Sequence, residues 1–127
     1  MKEAKALVWI GWILSGLSIA LLTFSGIMKF VKPPELTEGL AKFGWSESQV
    51  LPLAIVELGS ALLYAWPRTA VLGAILLTGY LGGAVATHMR VGDPYYIPIV
   101  LGVAIWLALY LRDRRVRELA PLRRLEP

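Results

Sequence analysis

The chain has 127 residues, of which 57% are hydrophobic, and it carries a formal net charge of +4 with no cysteine. So apolar a chain is not typical of a soluble domain, and most of it is expected to lie in lipid. The absence of cysteine excludes structural disulfides, thiol chemistry and Cys-ligated zinc or iron–sulfur clusters. The positive charge does not indicate nucleic-acid binding, because the basic residues flank hydrophobic segments, where they set membrane orientation.

The first apolar segment covers residues 6–28 and is long enough to cross a bilayer as a helix. Gly11 with Ser15, and Gly16 with Ala20, place small residues four apart on one helical face, where another helix can approach closely. Packing within a bundle explains these pairs more simply than a dedicated dimer motif, although a homodimer stays open. The pair Pro33-Pro34 ends the helix, because proline lacks the amide donor.

The next segment, from Glu35 to Trp45, is the longest polar connection. Its apolar residues recur at helical spacing, which predicts a short amphipathic helix at the membrane surface. Ser46 and Gln49 then have the spacing of a capping box, in which the side chain of each residue accepts a hydrogen bond from the backbone N–H of the other. A second span is therefore predicted over residues 49–66.

A turn at Pro67 is too short to do more than reverse the chain, so the third span, residues 69–88, is antiparallel to the second. Gly79 and Gly83 form a G-x-x-x-G motif, which predicts tight helix contact and places this span at the packed centre of the bundle. Asp93-Pro94 has the pattern of a cap and first helical position. It precedes a fourth span over residues 95–111 and a basic tail over 112–127.

These elements predict one membrane domain over residues 1–127, an all-α integral membrane antiparallel four-helix bundle with a short amphipathic segment between helices one and two. If both termini share a side, that side holds nine of the thirteen Lys and Arg residues. The positive-inside rule then places both termini in the cytoplasm and the bundle in the lipid bilayer of the plasma membrane. The nine are Lys2, Lys5, Arg68, Arg112, Arg114, Arg115, Arg117, Arg123 and Arg124.

One carboxylate, Glu57, lies near the middle of the second span. A charge at that depth costs at least ~2.5 kcal/mol unless it is paired, hydrated or protonated. The predicted topology brings Lys29 and His88 into the same outer half of the membrane, and helical periodicity places Tyr80, Thr87 and His88 on one face. We therefore predict a polar pocket there, with these ligand-binding residues: Lys29, Glu57, Tyr80, Thr87, His88 and Arg90.

Structural roles compete with this interpretation. Lys29 would snorkel to the interface, His88 would be a boundary residue and Arg90 part of a turn. Glu57 would form a buried pair with Lys29 or a hydrogen bond with Tyr80. Because the chain has one histidine and no cysteine, no metal site is predicted.

Several short motifs resemble a known family. FSGIMK at the end of the first span, ELG around Glu57, and ATHMR before Gly92-Asp93-Pro94 are similar in order and spacing to the DoxX-like four-helix membrane proteins of bacteria and archaea. The resemblance covers nearly the whole chain. It implies a four-helix bundle in the bacterial inner membrane, with a connection to quinone-dependent sulfur oxidation and to oxidoreductase complexes in redox stress. It also implies that the Lys, Glu and His-x-Arg positions of the family correspond to Lys29, Glu57, His88 and Arg90.

Three functions follow as hypotheses. The first is a redox-associated membrane subunit that binds a quinone-like or other small polar ligand in the outer-half pocket, with Glu57 accepting a proton or hydrogen bond, Lys29 stabilising its charge and His88 relaying protons. No intrinsic cofactor is predicted, so electrons would come from a membrane or soluble oxidoreductase partner; whether the protein is an enzyme stays undecided.

The second hypothesis is a non-catalytic scaffold or assembly factor. The third is a proton-coupled transporter, against which the lack of an inverted repeat argues.

Overall fold

The computed structural model describes residues 5–123 and 125, and within these residues every regular element is a helix. The long helices are α1 (Lys5–Val31), α3 (Glu47–Ala65), α4 (Ala70–Arg90) and α5 (Tyr96–Arg112). The short ones are α2 (Pro34–Lys42) and α6 (Arg114–Leu119). Lys2 and Arg124, which were counted for the orientation, lie outside the described residues.

The long helices have the length and surface of membrane helices. Three of them, α1, α3, and α4 with the turn before it, are long and apolar enough to cross a bilayer, whereas α5 is apolar but has only 17 residues, about 26 Å. Large apolar side chains point away from the other helices, among them Trp9 and Leu62, which are 68% and 71% exposed. A soluble monomer rarely exposes apolar surface so broadly, so the chain is a membrane protein.

The four long helices contact one another in a closed ring. Helices α1 and α4 each pack against both α3 and α5, so α1 and α4 face each other across the ring. The apolar core fills the half of the ring near the α3–α4 turn and α6, where Tyr64, Leu77, Ile105 and Leu109 are at most 1% exposed. The other half, on the side of α2, is left with space inside.

Tight helix contact occurs at Gly73, not at the predicted G-x-x-x-G motif. A Cβ on Gly73 would lie 2.2 Å from the backbone nitrogen of Tyr64, so only glycine allows α3 and α4 to approach this closely. A Cβ on Gly79 or Gly83 would meet no atom within 4 Å. The prediction of close packing at these two residues was wrong, because both glycines line a cavity.

The connection after α1 contains the predicted amphipathic helix, as α2. It ends in a Schellman turn, in which Gly44 has φ +92° and the Trp45 N–H donates to the Leu40 carbonyl at 3.0 Å. Helix α3 then begins with Gln49 Oε1 accepting the Ser46 backbone N–H at 2.8 Å, as the capping-box spacing predicts. These two junctions hold the chain close to the ends of α3 and α4.

The connection after α4 differs from its prediction. Gly92, at φ +75°, allows a second Schellman turn, in which the Asp93 N–H donates to the His88 carbonyl at 2.9 Å. Asp93 therefore ends α4 and does not cap α5, which begins at Tyr96. The interpretation of Asp93-Pro94 as a cap and first helical position was wrong, because α5 starts two residues later, with Tyr95 at the N-cap position.

Candidate functional site

A buried ion pair joins α1 and α3. Lys29 Nζ lies 2.8 Å from Glu57 Oε1, and the two residues are only 6% and 2% exposed. Glu57 is ten residues into α3, about 15 Å along its axis, which is half the thickness of a typical hydrocarbon core. Each residue of the pair therefore compensates the charge of the other at a depth in the membrane where a single charge would be costly.

Two hydroxyl groups complete the surroundings of this pair. Ser25 Oγ donates to Glu57 Oε1 at 3.3 Å, and Tyr80 OH donates to the same oxygen at 3.1 Å. Lys29 also donates to Ser25 Oγ at 3.0 Å, which is possible because residues four apart lie on the same face of α1. Two helices, α1 and α4, thus direct three donors to one carboxylate oxygen on α3.

This cluster borders a cavity of about 690 Å³ in the α2-side half of the ring. All four long helices contribute to its walls, which are mostly apolar, and Gly79 and Gly83 leave one stretch of wall without side chains. Residues of α2, of the two connections and of the start of α5 form its rim: Leu40, Phe43, Trp45, Asp93, Pro94 and Tyr96. A cavity of this size, with few polar groups in an apolar wall, is typical of small-molecule sites.

His88 lies on the cavity wall, two helical turns from Tyr80 along α4. Its Nδ1 lies 2.7 Å from the Ala84 carbonyl oxygen, which can only accept, so Nδ1 carries the proton of this bond. The imidazole ring also packs against Phe43, with ring centroids 4.6 Å apart. The orientation of the ring is therefore fixed, and Nε2 is the nitrogen left for other partners.

Arg90 holds the rim of the cavity and does not line it. Its guanidinium donates from Nη2 to the backbone carbonyl of Phe43 at 3.0 Å. That carbonyl belongs to the last residues of α2, where a cation is favoured by the helix dipole. Arg90 thereby links the C-terminal ends of α2 and α4.

The structure brings five of the six predicted ligand-binding residues, all except Arg90, to the wall of one cavity. Sequence reasoning missed Ser25, although its position four residues before Lys29 on an apolar helix was an available signal. Trp45, the last residue of the polar connection, also lies at the rim.

A second polar chain, also unpredicted, lies in the α6-side half. Arg112 Nε donates to Ser15 Oγ at 3.0 Å, Ser15 Oγ lies 3.2 Å from Tyr64 OH, and that hydroxyl donates to the Ile105 carbonyl at 2.8 Å. The guanidinium of Arg112 also stacks over Trp12 at 4.0 Å. These hydrogen bonds join α1, α3 and α5, and none of the residues that make them lines the cavity.

Comparison with known proteins gives a family and no closer relative. The sequence model of the DoxX-like family matches residues 13–110, which include every residue of the ion-pair cluster and all of the cavity lining. No curated protein and no solved structure matches the chain significantly.

Proposed function

Because the chain belongs to the DoxX-like family, we propose that it is a small redox-associated membrane subunit whose cavity binds a quinone-like ligand. The observation that carries this proposal is the position of the Lys29–Glu57 pair at the edge of a mostly apolar cavity. A neutral aromatic ring with polar oxygens at its edge suits apolar walls with a few polar groups.

In the proposed arrangement all four long helices span the bacterial plasma membrane, with both termini in the cytoplasm. Arg112, Arg114, Arg115 and Arg117, at and after the end of α5, support this orientation through the positive-inside rule. The α2 side, and with it the mouth of the cavity, then faces outward.

The described residues fit such a ligand in size and in chemistry. About 690 Å³ is within the range of small-molecule sites and accommodates a substituted ring with the first part of an alkyl tail. Polar groups occur at two levels of the cavity, the Glu57 cluster and the Thr87–His88 pair, with apolar wall between them. A bound quinone would supply the electron-accepting chemistry, and the electrons would come from an oxidoreductase partner.

The residues of this chain have separate roles in the proposal. Lys29 holds the Glu57 carboxylate in place through its contact to Oε1, and Ser25 and Tyr80 donate to the same oxygen. His88, held through Nδ1, offers Nε2 for exchanging a proton near the rim. Arg90 positions the rim by binding the Phe43 carbonyl.

Filling the cavity tests the proposal. Gly83→Leu adds a side chain to the open wall, where a Cβ meets no atom within 4 Å, so the helix itself should tolerate it. We expect the affinity for a decyl-tailed para-benzoquinone, in either oxidation state, to fall at least about tenfold, measured by calorimetric titration of the protein in lipid nanodiscs.

Gly16→Leu is the matched control. Gly16 also has no atom within 4 Å of a Cβ, but it is exposed on α1 and does not line the cavity. Binding should be unchanged in this variant. Absence of binding to the wild type, or equal affinities in Gly83→Leu and wild type, would refute the proposed site.

A further inference from the structure

The second carboxylate oxygen of Glu57 is the unusual atom of the site. All three hydrogen bonds donated to this carboxylate by described residues end on Oε1. Yet among the described residues no fully buried side-chain nitrogen or oxygen lacks a hydrogen-bond partner. Oε2 must therefore keep some accessible surface, and because Glu57 is 98% buried and lines the cavity, that surface faces the cavity.

Lys29 has one N–H donor left beside Glu57 Oε2. Its ammonium group has three N–H donors, of which one goes to Glu57 Oε1 and one to Ser25 Oγ. The third remains for a partner in the cavity that Lys29 lines. The polar end of the cavity thus offers a charged acceptor and a charged donor on neighbouring side chains.

A hydroxyl group satisfies both, and a carbonyl satisfies only one. The O–H of a phenol donates to Oε2 while its oxygen accepts from Lys29 Nζ, whereas a carbonyl oxygen accepts from Lys29 and leaves Oε2 unpaired. A buried charged acceptor without a donor is costly. Resting on the function proposed above, we infer that Glu57 Oε2 and Lys29 Nζ form a hydroxyl-recognition site, so that the cavity selects the hydroquinone over the quinone.

The same reasoning predicts what an amide does at this position. In Glu57→Gln the amide oxygen stays towards Lys29, Ser25 and Tyr80, because all three are donors to the present Oε1. The amide NH₂ then takes the place of Oε2 and donates into the cavity. Two donors now face the ligand, so this variant prefers the carbonyl form.

The test compares three ligands that share one ring and one decyl tail: the para-benzoquinone, its hydroquinone and the hydroquinone dimethyl ether. Each is titrated without oxygen into wild-type protein in lipid nanodiscs, with protein-free nanodiscs correcting for partition into lipid. We expect the hydroquinone to bind about tenfold to a hundredfold more tightly than the other two, which is the usual range for one hydrogen bond to a charged group. In Glu57→Gln the order of quinone and hydroquinone reverses.

Tyr64→Phe is the matched control, because it removes a buried hydroxyl that lies outside the cavity lining and leaves Glu57, Lys29 and their hydrogen bonds in place. It should keep the wild-type order. Equal wild-type affinity for all three ligands would overturn the recognition site and leave the proposed function standing. If none of the three ligands binds to the wild type, both are overturned. The wild-type order kept in Glu57→Gln would overturn the role of Oε2, and if that variant does not fold, the wild-type comparison with the dimethyl ether decides alone.

Discussion

Replacing Lys29 with methionine removes the cation from Glu57 and keeps a side chain of similar length. The 2.8 Å contact to Oε1 is lost, while the hydroxyl donors Ser25 at 3.3 Å and Tyr80 at 3.1 Å remain. Removing one partner of a buried ion pair costs about 3–5 kcal/mol. We expect about 3 kcal/mol, the lower end, because two hydroxyl donors stay on the carboxylate.

A double-mutant cycle isolates the pair. Lys29→Met combined with Glu57→Gln leaves no buried charge and keeps the amide oxygen within reach of Ser25 and Tyr80, so its free energy of unfolding should return to within about 1 kcal/mol of wild type. Reversible unfolding in mixed micelles of increasing SDS content measures all four proteins. Lys42→Met, at an exposed position on α2, is the control and should change stability by less than about 0.5 kcal/mol. If the two single substitutions simply add up in the double variant, the charges are not coupled and the reasoning is refuted.

Three further outcomes follow from contacts elsewhere. Gly73→Ala should destabilise the protein by about 1–3 kcal/mol, because its Cβ would overlap the α3 backbone, whereas Gly79→Ala should be neutral or stabilising; thermal unfolding in detergent compares them. Arg90→Gln should speed amide hydrogen exchange at residues 40–45 with little change in α3, because it frees the end of α2. Tyr64→Phe should cost about 1 kcal/mol through its lost hydroxyl bonds and leave ligand affinity unchanged, since Tyr64 does not line the cavity.

The polar constellation could be predicted because two strong constraints act on few residues. A carboxylate at Glu57 must be compensated in lipid, and Lys29 was the available cation at the matching depth. Helical periodicity placed Tyr80, Thr87 and His88 on one face, and all three line the cavity. Burial cost and helix phase are local properties, so a single sequence contains them.

Tight contacts could not be predicted, because they depend on which faces meet. Gly73 and Gly79 look alike in sequence, but only the first lies where α3 and α4 cross. The bond between Ser15 and Arg112 joins residues 97 positions apart, and nothing in either neighbourhood indicates it. The role of Asp93 was misassigned because helix-starting and helix-ending turns compete for the same short segment.

The filled core beside α6 determines from which side a ligand can reach the cavity. The cavity stops at Leu22 and Leu81, and beyond them Tyr64, Leu77 and Ile105 leave no path along the ring axis. Among the described residues the cavity is closed towards α6, so under the proposed function a ligand enters and leaves on the α2 side. The filled core leaves such a ligand no route along the ring to the α6 side of the bundle.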